Sequence, residues 1–299
     1  MKKIFLVMIL GIFFFSCSNR KKEKTITVDK IDIPYSMVEQ SIDLDDSMSF
    51  KLFLDNGFDP NYISEDGETL LMRLVQINSL KSLRILLEYN VDLEVETPLK
   101  AIPNTNTYEP TKRAIDFVKS KKALNLLIDA GADINYVDNL GNPLIIKFIK
   151  EKPESYTEIL ILNGVKLDVR DNELWTPLIW AVSKDKKNTI KTLLDNGANI
   201  NLVDDRGNSA IYYAYDENTI LMLLDKKIDK TLKNNDGENI LGEVYLRSIS
   251  NSYYRATKKI IEIGGDKDYS SYGDTPFGIA RQNKDDKMIK LLESLGVEE

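Results

Sequence analysis

The sequence contains no histidine and only one cysteine among its 299 residues. Histidine is the commonest general base and metal ligand, so its absence removes the most frequent routes to acid–base and zinc chemistry. A single cysteine, Cys17, excludes an intramolecular disulfide and a cysteine metal cluster. The sequence also lacks a glycine-rich phosphate loop, a Gly-x-Ser-x-Gly turn and EF-hand spacing. We therefore expect no catalytic residues, no metal site and no cofactor.

Long apolar runs are also missing, apart from residues 4–15 near the N-terminus. This stretch follows Met1-Lys2-Lys3 and has the length of a signal peptide rather than of a membrane-spanning helix. The next residues, Phe14-Phe15-Ser16-Cys17, resemble a bacterial lipobox, which implies that Cys17 becomes lipidated. An ordinary signal peptide or an uncleaved anchor are the alternatives. We expect a lipoprotein signal peptide over 1–16 and a lipid-anchored tether over 17–35, of which 25–35 forms either a strand or an extended leash.

Acidic residues outnumber basic ones by 46 to 34 over residues 25–299. The formal net charge is −7, and four basic residues of the tether lie together at Arg20, Lys21, Lys22 and Lys24. The rest of the chain is therefore more acidic than the total indicates. Because nucleic-acid binding needs basic surface stripes, we expect no nucleic-acid partner.

The main feature of the remaining sequence is a repeat of about 33 residues. Eight segments share a run of leucine or isoleucine followed by a turn and an Asp or Asn. Their turn residues are 57, 90, 131, 164, 197, 227, 264 and 296. One such unit cannot bury its apolar face alone, so a regular period predicts a stack of units with a continuous core.

The repeat resembles the ankyrin repeat. Its signature, Thr-Pro-Leu-His-x-Ala, is approached by Trp-Thr-Pro-Leu-Ile-Trp-Ala at 175–181 and by Asp-Thr-Pro-Phe-Gly-Ile-Ala at 274–280. The second half of the signature is matched by Leu-Leu-Asp-Asn-Gly-Ala-Asn-Ile-Asn at 193–201. The family histidine is missing from every unit, and Lys227 replaces one turn glycine. The resemblance implies an all-α helix-turn-helix solenoid with short β-hairpin loops over 36–299, consisting of an N-terminal cap and about seven repeats.

Helix-start and helix-stop residues agree with this fold. Thr69, Thr176, Ser209 and Thr275 precede apolar runs, where a hydroxyl can accept a hydrogen bond from a free backbone N–H. Gly197 follows a leucine run, where a left-handed residue commonly ends a helix. We expect Trp180 and Tyr213 to lie in the core, because the family usually has leucine at their position.

In the resembling family, partners bind at the hairpin tips and along the first helices. The predicted partner-binding tip residues are mostly acidic: Glu65, Asp66, Glu68, Leu140, Glu173, Trp175, Asp205, Asp236, Glu238, Tyr272 and Asp274. The alternative for the carboxylates is simple solvation, since exposed turns favour Asp and Asn. For Trp175, an exposed anchor and a ring folded back on the neighbouring hairpin are both open.

Two insertions interrupt the period. The first, over 97–110, is rich in Pro and Asn and predicts either an extended hairpin finger or a disordered loop. The second lies around Tyr245, Arg247 and the Tyr253-Tyr254-Arg255 run. It predicts a longer first helix, with a second contact site as the alternative.

The sequence as a whole predicts a non-enzymatic scaffold that binds another protein and is attached to a membrane only through its lipidated N-terminus. We expect a monomer, a bacterial cell-envelope location (periplasmic or surface-exposed) and a partner with a basic surface. Two other functions stay open: an inhibitor or immunity-type protein that masks an exported enzyme or toxin, and a structural envelope protein.

Overall fold

A computed structural model describes residues 25–28, 31–103 and 107–298. The predicted signal peptide, Cys17 and the basic tether lie outside these residues. The described residues divide into two compact units, with the boundary between Asp133 and Ile134.

The first unit begins with an antiparallel β-hairpin in which Thr25 faces Pro34 and Val28 faces Ile31. Its strands and helices are β1 (Thr25–Val28), β2 (Ile31–Pro34), α1 (Tyr35–Asp43), α2 (Ser47–Asp55), α3 (Leu70–Ile77), α4 (Leu80–Leu86), a 3-10 helix at Ala114–Phe117 and α5 (Lys121–Asp129). Of the two alternatives for 25–35, the described backbone is the strand. Ile33 is fully buried, so this segment is part of the folded unit.

The second unit contains five helix pairs. They are α6 (Leu144–Glu151) with α7 (Glu154–Leu162), α8 (Pro177–Ser183) with α9 (Lys187–Asp195), a 3-10 helix at Ala210–Tyr213 with α10 (Glu217–Leu224), α11 (Ile240–Ser250) with α12 (Tyr254–Glu262), and α13 (Pro276–Gln282) with α14 (Asp286–Ser294). First helices pack against first helices and second helices against second helices. The predicted all-α repeat fold is confirmed.

Local sequence signals explain most helix ends. Thr69, Thr176 and Thr275 accept backbone N–H bonds at 3.1, 3.2 and 3.0 Å, as predicted. The same prediction for Ser209 is wrong, because this residue makes no side-chain cap bond. It precedes a tighter 3-10 helix, and its hydroxyl oxygen is buried without a partner in the described part of the chain. Gly197 has a φ of 92° and ends α9 as predicted.

The insertion around Tyr245 lengthens the first helix of the fourth pair, as predicted, and this helix packs on the third pair. The first helix α11 has 11 residues, and it packs on the 3-10 helix Ala210–Tyr213, which has only four. Arg247 on α11 donates to the carbonyl oxygen of Tyr212 at 2.8 Å, and the Tyr253 hydroxyl donates to that of Tyr215. The longer helix therefore satisfies carbonyl groups left at the end of the shorter one.

Candidate functional site

The hairpin tips of the second unit are built on aspartates at equivalent positions. Asp138, Asp171 and Asp204 are all buried. In the second of these hairpins, Asp171 Oδ1 accepts the backbone N–H groups of Glu173 at 3.2 Å and Trp175 at 3.0 Å. The other two aspartates bond the same two positions of their own turns. This arrangement is an extended Asx turn, and it fixes the backbone of each tip.

The second carboxylate oxygen of these aspartates faces a side chain nine residues later, on the first helix of the same pair. Asp171 Oδ2 accepts the indole N–H of Trp180 at 2.7 Å. Asp204 Oδ2 accepts the hydroxyl of Tyr213. Burial, followed by this hydrogen bond to Asp204, raises the pKa of the Tyr213 hydroxyl above its ordinary value. The aspartates thus hold a row of aromatic side chains on the hairpin side of the first helices.

Three aromatic rings form one cluster in this row. Trp175 lies between Trp180 and Tyr213, with ring centroids 4.6 and 4.7 Å apart. Tyr212 meets Tyr213 edge to face at 5.4 Å. Of the two alternatives for Trp175, the structure has the ring folded back against its neighbours, and the side chain is half-buried. The chain has two tryptophans, and both belong to this cluster.

Cationic side chains lie against the same rings. The Lys150 ammonium is 3.9 Å from the ring centroid of Trp180 and 3.5 Å from Asp171 Oδ2. The Arg247 guanidinium is 5.6 Å from the ring of Tyr212 and 5.4 Å from that of Tyr215. Such contacts are attractive because the ring face carries negative potential. Burial lowers the pKa of Arg247, whose nearby tyrosines act in the opposite direction.

Two open clefts flank the cluster. The tryptophan cleft has a volume of about 680 Å³ and is lined by Asn139, Leu140, Gly141, Asn142, Lys150, Asp171, Asn172, Glu173 and Trp180. The tyrosine cleft has a volume of about 440 Å³ and is lined by Asp205, Arg206, Asn208, Tyr212, Tyr213, Tyr215, Asn234, Asn235 and Asp236. Concave surfaces with aromatic walls and a few polar groups are typical of binding sites.

The predicted core position of Trp180 and Tyr213 is corrected by this geometry. Both rings are half-buried and line the clefts. They replace the leucine of the resembling family with side chains that carry a hydrogen-bond donor. Because that donor must reach a buried aspartate, each ring stays at the edge of the cleft and not beneath it.

The predicted tip residues fall into three groups. Leu140 and Glu173 line the tryptophan cleft, Asp205 and Asp236 line the tyrosine cleft, and Trp175 lies in the cluster between them. The other six lie outside the clefts and the cluster. Glu65, Asp66 and Glu68 belong to the first unit, and Tyr272 and Asp274 lie at an exposed turn. Glu238 accepts a hydrogen bond from the side chain of Asn234. The clefts therefore contain four of the eleven predicted residues.

Three cleft residues were not predicted as site residues, namely Lys150, Tyr212 and Tyr215, and neither was Arg247, which lies against two of the tyrosine rings. One signal for the row was available in the sequence. Lys147, Trp180 and Tyr213 recur at the spacing of the repeat, each nine residues after an aspartate. Polar or aromatic residues at a position where leucine is usual indicate a side chain with a partner on the hairpin.

The 97–110 insertion is an extended hairpin in its described residues. Ala101 pairs with Tyr108, and Ile102 N–H donates to the carbonyl of Thr107 at 3.0 Å. At its base Arg113 bonds to Glu94 and Glu96. Outside residues 104–106, the backbone of this insertion therefore forms the predicted hairpin finger and not the alternative disordered loop.

Comparison with known proteins identifies the repeat. The family described as "Ankyrin repeats (3 copies)" matches residues 144–234. Human neurogenic locus notch homolog protein 2 is 34% identical over 120 residues, which are 39% of this chain and 5% of that protein. An ankyrin repeat protein of fowlpox virus (strain NVSL) is 28% identical over 178 residues, which are 56% of this chain and 41% of that protein. The matched segments thus cover less than half of these relatives.

Solved structures agree on the fold. The ankyrin repeat domain of Bcl-3 has a TM-score of 0.56 and 17% identity, and the match covers 73% of this chain and 91% of that one. The human ASB11 ankyrin repeat domain has a TM-score of 0.51 and 20% identity, with coverage of 68% and 89%. Residues 144–234 thus match ankyrin repeats, and the chain has the ankyrin-repeat fold. Domains of this fold are typically non-enzymatic protein-interaction modules.

Within the described ranges, no three or more Asp, Glu, His or Cys side chains lie together in a way that could hold a metal ion. None of the helices in those ranges has both the length and the apolar character needed to cross a membrane.

Proposed function

We propose that the chain is a membrane-anchored scaffold of the bacterial cell envelope that binds another protein through the two clefts of its second unit. The observation that carries the proposal is the Trp175–Trp180–Tyr213 cluster between the clefts. Aromatic side chains beside concave surfaces are enriched among residues that dominate binding energy. The lipobox resemblance at Cys17 supports the membrane attachment.

The charge of the cleft rims favours a basic partner. Glu173, Asp205 and Asp236 are exposed at the rims, and none has an ion pair among the described residues. Unpaired carboxylates attract a positively charged surface and accelerate its association at low salt. Because the Asx turns already fix the tips, docking costs little conformational entropy.

The binding proposal can be tested by crosslinking the purified full-length chain to an envelope extract and capturing it. The test variant carries Glu173→Lys, Asp205→Lys and Asp236→Lys. A matched control carries Asp286→Lys, Glu293→Lys and Glu298→Lys, three exposed acids that do not line the clefts. We expect one partner to be captured by the native chain and the control, and lost with the test variant. Equal capture by all three chains would contradict the proposed surface.

The anchoring proposal has its own experiment. Cells expressing the native chain or Cys17→Ser would be labelled with a radioactive fatty acid, and the chain would then be immunoprecipitated. We expect label on the native chain and none on the variant. Equal labelling of both, or no label on the native chain, would contradict lipidation at this residue.

A further inference from the structure

We infer that the tyrosine cleft receives a lysine or arginine side chain of the partner, an inference that rests on the proposed function. The cleft has three tyrosines in its walls, Tyr212, Tyr213 and Tyr215, and two exposed carboxylates at its rim, Asp205 and Asp236. Aromatic walls and carboxylates together are the chemistry that recognises an ammonium or guanidinium group.

A buried amide in the cleft also requires a hydrogen-bond donor. Asn208 lines the cleft and is only 5% exposed, and its Oδ1 has no hydrogen-bond partner in the described part of the chain. Asn208 lies beside Tyr213 and acts on the pKa of its hydroxyl against the larger effect of burial. The hydroxyl hydrogen of Tyr213 is donated to Asp204, so toward Asn208 the hydroxyl oxygen can only accept. The remaining Asn208 oxygen is an acceptor, which a cationic donor entering the cleft would satisfy after a small local shift.

The neighbouring tryptophan cleft shows the proposed interaction within the chain itself. There the Lys150 ammonium lies 3.9 Å from the centre of the Trp180 ring and 3.5 Å from the Asp171 carboxylate. A ring and a turn aspartate therefore already hold one cation in this fold. The tyrosine cleft has the corresponding pair in Tyr213 and Asp204, and its lining includes no lysine.

Two arginines near the cleft oppose an incoming cation, and each is offset. Arg206 lines the rim, where the two carboxylates of Asp205 and Asp236 outnumber it. Arg247 is not part of the lining, but its guanidinium lies against the Tyr212 and Tyr215 rings and donates to the Tyr212 carbonyl oxygen at 2.8 Å, so the incoming cation would meet the Tyr213 ring. The lining therefore carries two carboxylates against one guanidinium, which disfavours an anionic ligand.

Tryptophan emission gives a direct test, because both tryptophans of the chain belong to the cluster and Trp175 contacts Tyr213 at 4.7 Å. The purified full-length chain would be titrated with N-acetyl-arginine amide and N-acetyl-lysine amide. N-acetyl-citrulline amide, which has the shape of arginine without its charge, serves as the control ligand. We expect a saturable change in emission with at least one of the basic probes and none with citrulline.

Variants locate the response. Asp205→Asn with Asp236→Asn should weaken binding of the basic probe roughly tenfold or more, because the rim loses both carboxylates. Glu293→Gln, at an exposed acid outside the cleft, should leave it unchanged. The inference is overturned if citrulline gives the same response, if neither basic probe gives one, or if the double variant binds as the native chain does.

The result is distinguishable from a failure of the proposed function. A partner captured as described above, together with a silent titration, would refute the cationic cleft and leave the scaffold function standing. Binding of the basic probe in the expected pattern would support the cleft even if no partner were captured, and the scaffold function alone would then fail.

Discussion

The second and third hairpin turns of the second unit share one scaffold and differ in what they hold. Asp171 and Asp204 both accept two backbone N–H bonds within their turn. The first then accepts an indole N–H from Trp180, and the second accepts a hydroxyl from Tyr213. The backbone of the turn is thus fixed by one residue, while the partner of that residue is free to vary.

The residue that closes each turn differs as well. Gly207 takes a φ of 82°, whereas Leu174 takes 58° at the equivalent position of the preceding turn. A leucine in this left-handed region costs about 1–2 kcal/mol relative to the right-handed one. Leu174 is also 42% exposed, so burial of its side chain does not offset that cost fully. The turn built on Asp171, the tryptophan turn, therefore keeps an apolar side chain at its tip at the expense of stability.

Removing the shared aspartate should produce the largest effect. Asp204→Ala deprives two backbone N–H groups and the Tyr213 hydroxyl of their acceptor, and we expect a loss of about 3 kcal/mol in the free energy of unfolding. Asp171→Ala should cost a similar amount. The exposed neighbour Asp205→Ala is the control, with an expected change below about 0.5 kcal/mol. Urea unfolding midpoints measure all three, and a small effect of either turn variant would contradict the shared scaffold.

The sequence could predict features that depend on near neighbours. The leucine runs, the Thr caps and the turn at Gly197 each depend on residues within one helix pair, so the repeat period and the caps located them correctly. Ser209 was predicted wrongly because its own helix is 3-10, and nothing in the local pattern distinguishes it from Thr176.

The aromatic cluster depends on geometry that one segment does not contain. Trp175 meets Tyr213 across two successive repeats, 38 positions apart in the chain, and only the stacked structure brings their rings together. The carboxylate partners of Trp180 and Tyr213 were accessible in principle, because each lies nine residues before its ring. The family's leucine at that position led to a core assignment, which ignored the donor that each ring carries.

Trp175→Ala should have the next largest effect, because this ring joins the two turns. Loss of a half-buried indole and its two ring contacts should cost about 2 kcal/mol. Tyr272→Ala, which removes a ring that is 89% exposed, is the matched control and should be nearly neutral. Thermal unfolding followed by circular dichroism compares them. Equal shifts in the two midpoints would mean that the cluster does not stabilise the turns.

Replacing Gly207, which closes the turn built on Asp204 (the tyrosine turn), should reduce the free energy of unfolding by less. In Gly207→Ala the added Cβ would lie 3.0 Å from the backbone of Asn234, and the residue would keep a positive φ. We expect a loss of about 1–2 kcal/mol. Gly237→Ala is the control, because there the added Cβ meets nothing within 4 Å. Its loss of stability measures the cost of the positive φ alone, without the steric contact. If both variants lose the same stability, the contact with Asn234 contributes nothing.

Alkaline pH should destabilise the tyrosine turn, because the Tyr213 hydroxyl then ionises. The raised pKa of Tyr213 has burial as its main cause, followed by the hydrogen bond to Asp204. Its stabilising contribution is therefore complete below the unfolded value of about 10 and is lost as the pH rises through the folded value. The stability difference between the native chain and Tyr213→Phe should be constant up to about pH 10 and shrink above it. A difference that stays constant from pH 8 to 11 would contradict this role of the Tyr213 hydroxyl.

The smallest effect on stability is expected for Leu174→Gly, and this variant tests whether the exposed leucine of the tryptophan turn serves binding. Leu174→Gly removes the left-handed strain but increases the freedom of the unfolded chain, so we expect a net gain of no more than about 0.5 kcal/mol. If the apolar tip is used for docking, the same variant should bind the captured partner more weakly despite equal or greater stability. Capture by the Leu174→Gly chain, measured beside its urea midpoint, decides the point. Undiminished capture would mean that the strained leucine serves neither stability nor binding.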